Sequence, residues 1–191
     1  MLPVGLESVE VAPGARLAAG LRKVLTEVEV AEVRIRPVTE KDVSLMLALI
    51  KELAKYEQMA DRVTATEEDL HVALFGPTPS AEAVLAVVGD TPVGYALFFH
   101  SFSTFLAKPG LYLEDLYVRP EFRGRGFGRR LLVYLARLAR DQGCGRVEWS
   151  VLNWNELALR AYQLVGAVAQ NEWTTYRLTG DALDRLADEG D

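Results

Sequence analysis

The feature that most narrows what this chain can fold into is the run Arg123-Gly124-Arg125-Gly126-Phe127-Gly128-Arg129. It stands between an aliphatic and aromatic stretch, Leu111 to Val118, and a segment in which Leu131, Leu135 and Leu138, joined by Leu132 and Ala139, recur at helical spacing. A strand therefore passes through a glycine turn into an amphipathic helix. Glycines at alternate positions remove Cβ atoms, so successive backbone N–H groups can converge on an anion, and the helix N-terminus adds the positive end of its dipole. That chemistry suits a pyrophosphate. The run is not the dinucleotide fingerprint G-x-G-x-x-G, because the glycine spacing differs and no long parallel β-α-β series surrounds it. Nor is it a P-loop, which ends in Gly-Lys-Ser/Thr. Taken alone, the same run also reads as a tight connection with solvated arginines.

Local signals place the other elements. Val33 to Pro37 alternates as a strand, and Thr39 with Asp42 three residues on opens a helix whose face is expected to be Val43, Leu47, Ile50 and Ala54. Thr66 with Asp69 opens a shorter helix that ends near Gly76. Ala83 to Val88 and Val93 to His100 flank Gly89-Asp90-Thr91-Pro92, which is turn chemistry between antiparallel strands. After the glycine turn and its helix, Gly143 and Gly145 lead to a strand, Arg146 to Leu152. A helix from Glu156 to Val165, a last strand from Trp173 to Leu178 and a short charged helical tail follow. The order is a meander of strands followed by β-α-β-α-β. The chain divides into a 32-residue N-terminal extension, an α/β domain over 33–180 and a tail over 181–191.

Half of the 191 residues are apolar, a quarter are charged and the net charge is −6, which argues against a general nucleic-acid or membrane-surface binder despite the local arginine cluster. Cys144 has no disulfide partner, and His71 and His100 lie too far apart in sequence to build a metal cluster with it, so no metal is expected. Glu7, Glu10, Arg16, Arg22 and Lys23 interrupt any signal-peptide core, and no apolar run is long enough to span a membrane; a cytoplasmic protein is the expectation.

Arg123-x-x-Gly126-x-Gly128 resembles the R-x-x-G-x-G/A motif of the GNAT superfamily of acetyltransferases. Ile50-Lys51-Glu52-Leu53-Ala54-Lys55-Tyr56-Glu57, Tyr112-Leu113-Glu114-Asp115-Leu116-Tyr117-Val118, Trp154-Asn155-Glu156 and Tyr162-x-x-x-Gly166-Ala167 narrow the likeness. Together they resemble the diamine (spermidine/spermine) and thialysine N-acetyltransferase branch, over residues 34–178. Arg125, Arg129 and Asn153 depart from that branch, which bears on substrate choice. The resemblance implies the acyl-CoA N-acyltransferase fold, a mixed, mostly antiparallel sheet flanked by helices, of α/β (α+β) class. It implies acetyl-CoA as co-substrate, a small-molecule primary amine as acceptor, and a homodimer.

It also implies roles. The glycine run from Arg123 through Gly124, Arg125, Gly126, Phe127 and Gly128 to Arg129 would cradle the pyrophosphate. The backbone of Leu116, Tyr117 and Val118 would pair with the pantetheine arm, with Asn155, Glu156, Leu157 and Ala158 contributing from the later helix. Tyr56, Glu57, Glu114, Glu148, Trp149 and Ser150 would meet the amine, although Trp149 reads equally as core. Acetyl transfer needs a neutral amine, stabilisation of the carbonyl oxygen and a proton for the departing thiolate. An alkylamine has a pKa of about 10.4, so a carboxylate must take its proton directly or through water, and Glu114 is the candidate. Strand alternation puts Glu114 with Tyr112 and Leu116, opposite Leu113 and Asp115. Tyr162, a phenol of pKa about 10, is the candidate acid. Other amines (amino acids, aminoglycosides, protein N-termini) and a non-catalytic acyl-CoA sensor stay open as alternatives.

Overall fold

A computed structural model describes residues 32–189, and the expected N-terminal extension, all but its last residue, lies outside them. Contacts divide the chain into two compact units, one up to Ser150 and one from Val151 onward.

The first unit is built on a five-stranded sheet in the order β1-β2-β3-β4-β5: Val33–Pro37, Glu82–Val88, Thr91–Ser103, Lys108–Val118 and Val147–Trp149. The first four strands are antiparallel neighbours, whereas β5 runs parallel to β4. Helix α1 (Val43–Tyr56) follows a 3-10 turn, Glu40–Asp42, and α2 (Glu67–Phe75) follows Thr66. The two expected capping boxes both form, Thr39 with Asp42 and Thr66 with Asp69. Asp42 does more than cap. It accepts both guanidinium bonds of Arg36 at 2.7 Å and the N–H and hydroxyl of Thr39 at 2.8 Å. Those bonds, Arg36 foremost, hold its carboxyl well below the usual carboxylate range and fasten β1 to the start of α1.

The sheet separates two apolar layers. On one face, Phe127, Leu131, Leu135 and Ala139 of α3 (Phe127–Asp141) pack on Val84, Val93, Phe98, Leu111, Leu113 and Val118. On the other, Met46, Leu49 and Leu53 of α1 meet Leu85, Val87, Tyr95 and Tyr117. This changes the expected face of α1: Val43 and Leu47 turn toward Leu70 of α2, and the adjacent stripe covers the sheet. A helix between two neighbours carries two apolar stripes, and sequence spacing alone does not say which meets the sheet.

The second unit contains α4 (Glu156–Leu164) and α5 (Asp181–Ala187). The strand expected from Trp173 to Leu178 does not form. The segment is irregular, with Trp173 71% and Tyr176 92% exposed. Its β-branched and aromatic residues, Trp173, Thr174, Thr175 and Tyr176, favour a strand, but a strand requires a ladder partner, and none pairs with it among the described residues. No helix among the described residues is long and apolar enough to cross a membrane.

Candidate active site

The chain leaves β4 at Val118, makes a tight turn over Pro120–Phe122 and enters α3 through the glycine run. Gly124 and Gly126 have φ of 76° and 79°, the left-handed region that L side chains rarely adopt. A Cβ built at either one would meet nothing within 4 Å, so the turn faces open space. Gly126 is the N-cap residue of α3 and no side chain caps that end. The first intrahelical bond runs from the Arg130 N–H to the Gly126 carbonyl at 3.0 Å, which leaves the N–H groups of Phe127, Gly128 and Arg129 unused by the helix. An uncapped, unobstructed helix N-terminus with glycines before it fits a pyrophosphate. Phe127 gives only its backbone, since its side chain is buried in the α3-side core. Gly128 faces Leu116, and a Cβ there would lie in ordinary van der Waals contact with that side chain at 3.6 Å.

Beside this turn the sheet parts. Strand β5 pairs with β4 only at Leu111, Tyr112 and Leu113, while β3 accompanies β4 to Val118. From Asp115 to Val118, β4 therefore has no strand on the β5 side among the described residues, and its backbone is available to an extended amide chain.

The ladder between β3 and β4 slips by one residue. Leu97 faces Asp115 and Phe98 faces Leu113, so Glu114 is the extra residue of a bulge. This corrects the expected alternation. Leu116 packs with Leu113 and Val118 in the α3-side core, whereas Tyr117 lies in the α1-side core. Glu114 itself is exposed. Asp115 accepts a 2.9 Å hydrogen bond from the hydroxyl of Tyr95, a ring that is fully buried. Burial raises the Asp115 carboxyl above its ordinary pKa, with the Tyr95 bond opposing and the Glu114 charge adding to the rise. Glu57, just past the end of α1, is raised for the same reason, burial first and the charge of Asp115 second. Asp115 and Tyr95 thus add to the acidic and aromatic acceptor residues that the sequence names, Tyr56, Glu57, Glu114, Glu148, Trp149 and Ser150. The signal that would have found them is the bulge, and it depends on the partner strand.

The remaining acceptor candidates divide. The Tyr112 hydroxyl and the Ser150 hydroxyl are 2.8 Å apart, and the Glu148 carboxylate pairs with Arg146 at 2.7 Å. Trp149 packs against the α3-side core, the alternative its sequence allowed. Arg123 turns inward: its Nε donates to the Val118 carbonyl at 2.9 Å, and its guanidinium lies 4.2 Å from the centre of the Tyr56 ring. Arg125 lies over Phe122, and Arg129 is exposed.

In the second unit, the Asn155 side chain accepts from the Ala158 N–H at 3.3 Å and caps α4. Asn155, Ala158, Leu159 and Tyr162 form the half-buried stripe of that helix, while Leu157 is exposed and Glu156 pairs with Arg160 at 3.0 Å. Cys144 is a free, half-buried thiol beside the α3-side core. Among the described residues no group of His, Cys, Asp and Glu is placed to hold a metal.

An open glycine turn at a helix N-terminus, next to a strand whose edge its parallel neighbour leaves unpaired, is the arrangement of acyltransferases that use acyl-coenzyme A. The model of the acetyltransferase (GNAT) family matches residues 46–167, and the chain belongs to that family, whose co-substrate is acetyl-CoA. The chain is 38% identical over 168 residues to a thialysine N-epsilon-acetyltransferase of Bos taurus, covering 82% of this chain and 98% of the relative. It is 37% identical over 155 residues to the thialysine N-epsilon-acetyltransferase of Caenorhabditis elegans, covering 80% and 95%. Among solved structures, an integron cassette protein from the mobile metagenome of V. cholerae is similar at a TM-score of 0.69 and 29% identity, over 81% of this chain and 97% of that one.

Proposed function

We propose that this protein transfers the acetyl group of acetyl-CoA to a primary amine of a small molecule, a diamine, polyamine or thialysine-like amino acid, by direct attack. The observation that carries the reading is the acidic and aromatic wall of Tyr56 and Glu57 from the end of α1, Tyr95 of β3 and Asp115 of β4, the strand whose β5-side edge is open from Asp115 to Val118 beside the glycine turn. Such a wall favours a cation by the charge of its carboxylates. The thialysine acetyltransferases among the relatives support an amine of this kind.

When bound, acetyl-CoA supplies a thioester carbonyl open to attack. The N–H groups of Phe127, Gly128 and Arg129 hold the pyrophosphate, and the backbone of Leu116, Tyr117 and Val118 aligns the arm. As the amine nitrogen bonds to the carbonyl carbon and the carbon–sulfur bond breaks, one proton leaves nitrogen and one reaches sulfur. Before that step Glu114 takes the proton of the ammonium form, directly or through a water, and leaves a neutral nucleophile; in the step itself the nitrogen's proton passes to solvent, and Tyr162 gives its hydroxyl proton to sulfur and regains one from solvent. The exposure of Glu114 at the bulge suits a residue that exchanges protons with solvent.

Residues 33–180 are proposed to act as one catalytic domain, since the family match runs across Ser150. The protein is proposed to be cytoplasmic and to form a homodimer, the commonest closed assembly of soluble proteins. Sedimentation equilibrium should then give twice the mass of one chain, and a single-chain mass at micromolar concentration would exclude the dimer.

The decisive assay follows thiol release with a colorimetric reagent while spermidine, putrescine, thialysine, lysine and a peptide panel are added in turn. Release is expected with the small amines and not with peptides. Binding of coenzyme A with no amine-dependent release would make the protein a sensor and overturn the reading.

A further inference from the structure

Two arginines fasten the acceptor wall to the segment that leads into the glycine turn. Arg119 grips Glu52 of α1 through two bonds, Nε at 3.0 Å and a terminal nitrogen at 2.7 Å. Its other terminal nitrogen donates to the Pro92 carbonyl at 3.0 Å, and its backbone N–H to the Val93 carbonyl at 2.9 Å. Four residues on, Arg123 stacks on Tyr56 while bonding to the Val118 carbonyl. Glu52 and Tyr56 are themselves four apart, one above the other on the last turns of α1. A two-pronged arginine–carboxylate contact fixes orientation as well as distance, and a stacked guanidinium does the same for a ring. The result is a pair of parallel ties between one end of α1, which carries Tyr56 and Glu57, and the six residues before the open turn. The centre of the Tyr117 ring lies 5.8 Å from the Arg123 guanidinium, and its hydroxyl interacts with Glu52.

We infer that Arg119 and Arg123 are positioning residues that make the order of the acceptor wall depend on occupancy of the glycine turn. Arg123 directly precedes Gly124, so an anion seated on the turn restrains the Arg123 backbone and, through the stacked guanidinium, Tyr56. The Glu52–Arg119 pair holds the same helical turn at its other side, so α1 responds there as one piece. By linkage, an amine held at the wall tightens the turn to the same degree. The inference rests on the reading that the turn takes the pyrophosphate, and its test needs no acceptor amine.

Amide hydrogen exchange over Leu53 to Gln58 is measured with and without coenzyme A, in the parental protein and in Arg119→Met and Glu52→Gln. Coenzyme A should slow exchange there by about fivefold or more in the parental protein, the lower end of common coupling factors. Each variant should lose most of that slowing while its affinity for coenzyme A by calorimetry stays within about threefold of parental, because neither side chain faces the turn. A static brace would raise exchange equally with and without coenzyme A. Should Arg119→Met fail to fold, Glu52→Gln, which keeps the side-chain shape, carries the test. Parental binding with unchanged exchange at 53–58, or full slowing in a folded variant, overturns the inference alone. Failure of the parental protein to bind coenzyme A overturns the placement of the cofactor as well.

Discussion

Tyr162→Phe should lower kcat by about 10²-fold or more, the range for loss of a positioned acid, with the affinity for acetyl-CoA nearly unchanged. The substitution removes one oxygen and leaves the ring on the half-buried stripe of α4, so packing is retained. Glu114→Gln should behave differently. It acts on the amine, so its deficit in kcat/KM should be greatest at low pH and shrink toward the amine's own pKa of about 10.4, where neutral nucleophile exists without help. Two distinct pH profiles are therefore expected. If both variants keep parental kcat/KM for every amine between about pH 6 and about pH 9, neither residue moves a proton in the reaction and direct transfer at this site is wrong.

Gly126→Val should weaken coenzyme A binding by about 10²-fold or more, equivalent to losing one or two charge-assisted hydrogen bonds of about 1.5–3 kcal/mol each. Two effects combine. A β-branched residue resists the φ of 79°, at a cost of about 1–2 kcal/mol or more, and its side chain enters the space in front of the Phe127, Gly128 and Arg129 amides. Gly126→Asn separates them, because asparagine tolerates the left-handed conformation while still adding a Cβ. Its affinity should fall between those of glycine and valine. Calorimetry on folded variants decides the matter: a Gly126→Val protein with parental affinity would show that the anion does not sit on this turn.

Much of the molecule was legible because its signals are local. Thr39 with Asp42 and Thr66 with Asp69 cap helices through bonds spanning three residues, and Gly124, Gly126 and Gly128 declare a turn by themselves. What escaped depends on partners far away in the chain. The Glu52–Arg119 tie joins residues 67 positions apart, and nothing in either neighbourhood announces it. The burial of Asp115 follows from a slip of β4 against β3, so an alternation counted along β4 alone assigns the wrong faces. The segment from Trp173 to Leu178 shows the converse, a strong strand pattern left irregular because pattern without a neighbouring ladder does not make a strand.

The bulge at Glu114 makes that position supernumerary. Remove it in thought, and Leu113 still stands across from Phe98 and Asp115 across from Leu97, with each remaining side chain of β4 on the face it already occupies. The carboxylate proposed to take the proton is thus a passenger of the strand and not one of its rungs. Exchanging it for a shorter, longer or uncharged group asks no repacking of either apolar layer. In this chain the means of adjusting the reaction and the means of staying folded are assigned to different residues of the same strand, so one can drift without disturbing the other.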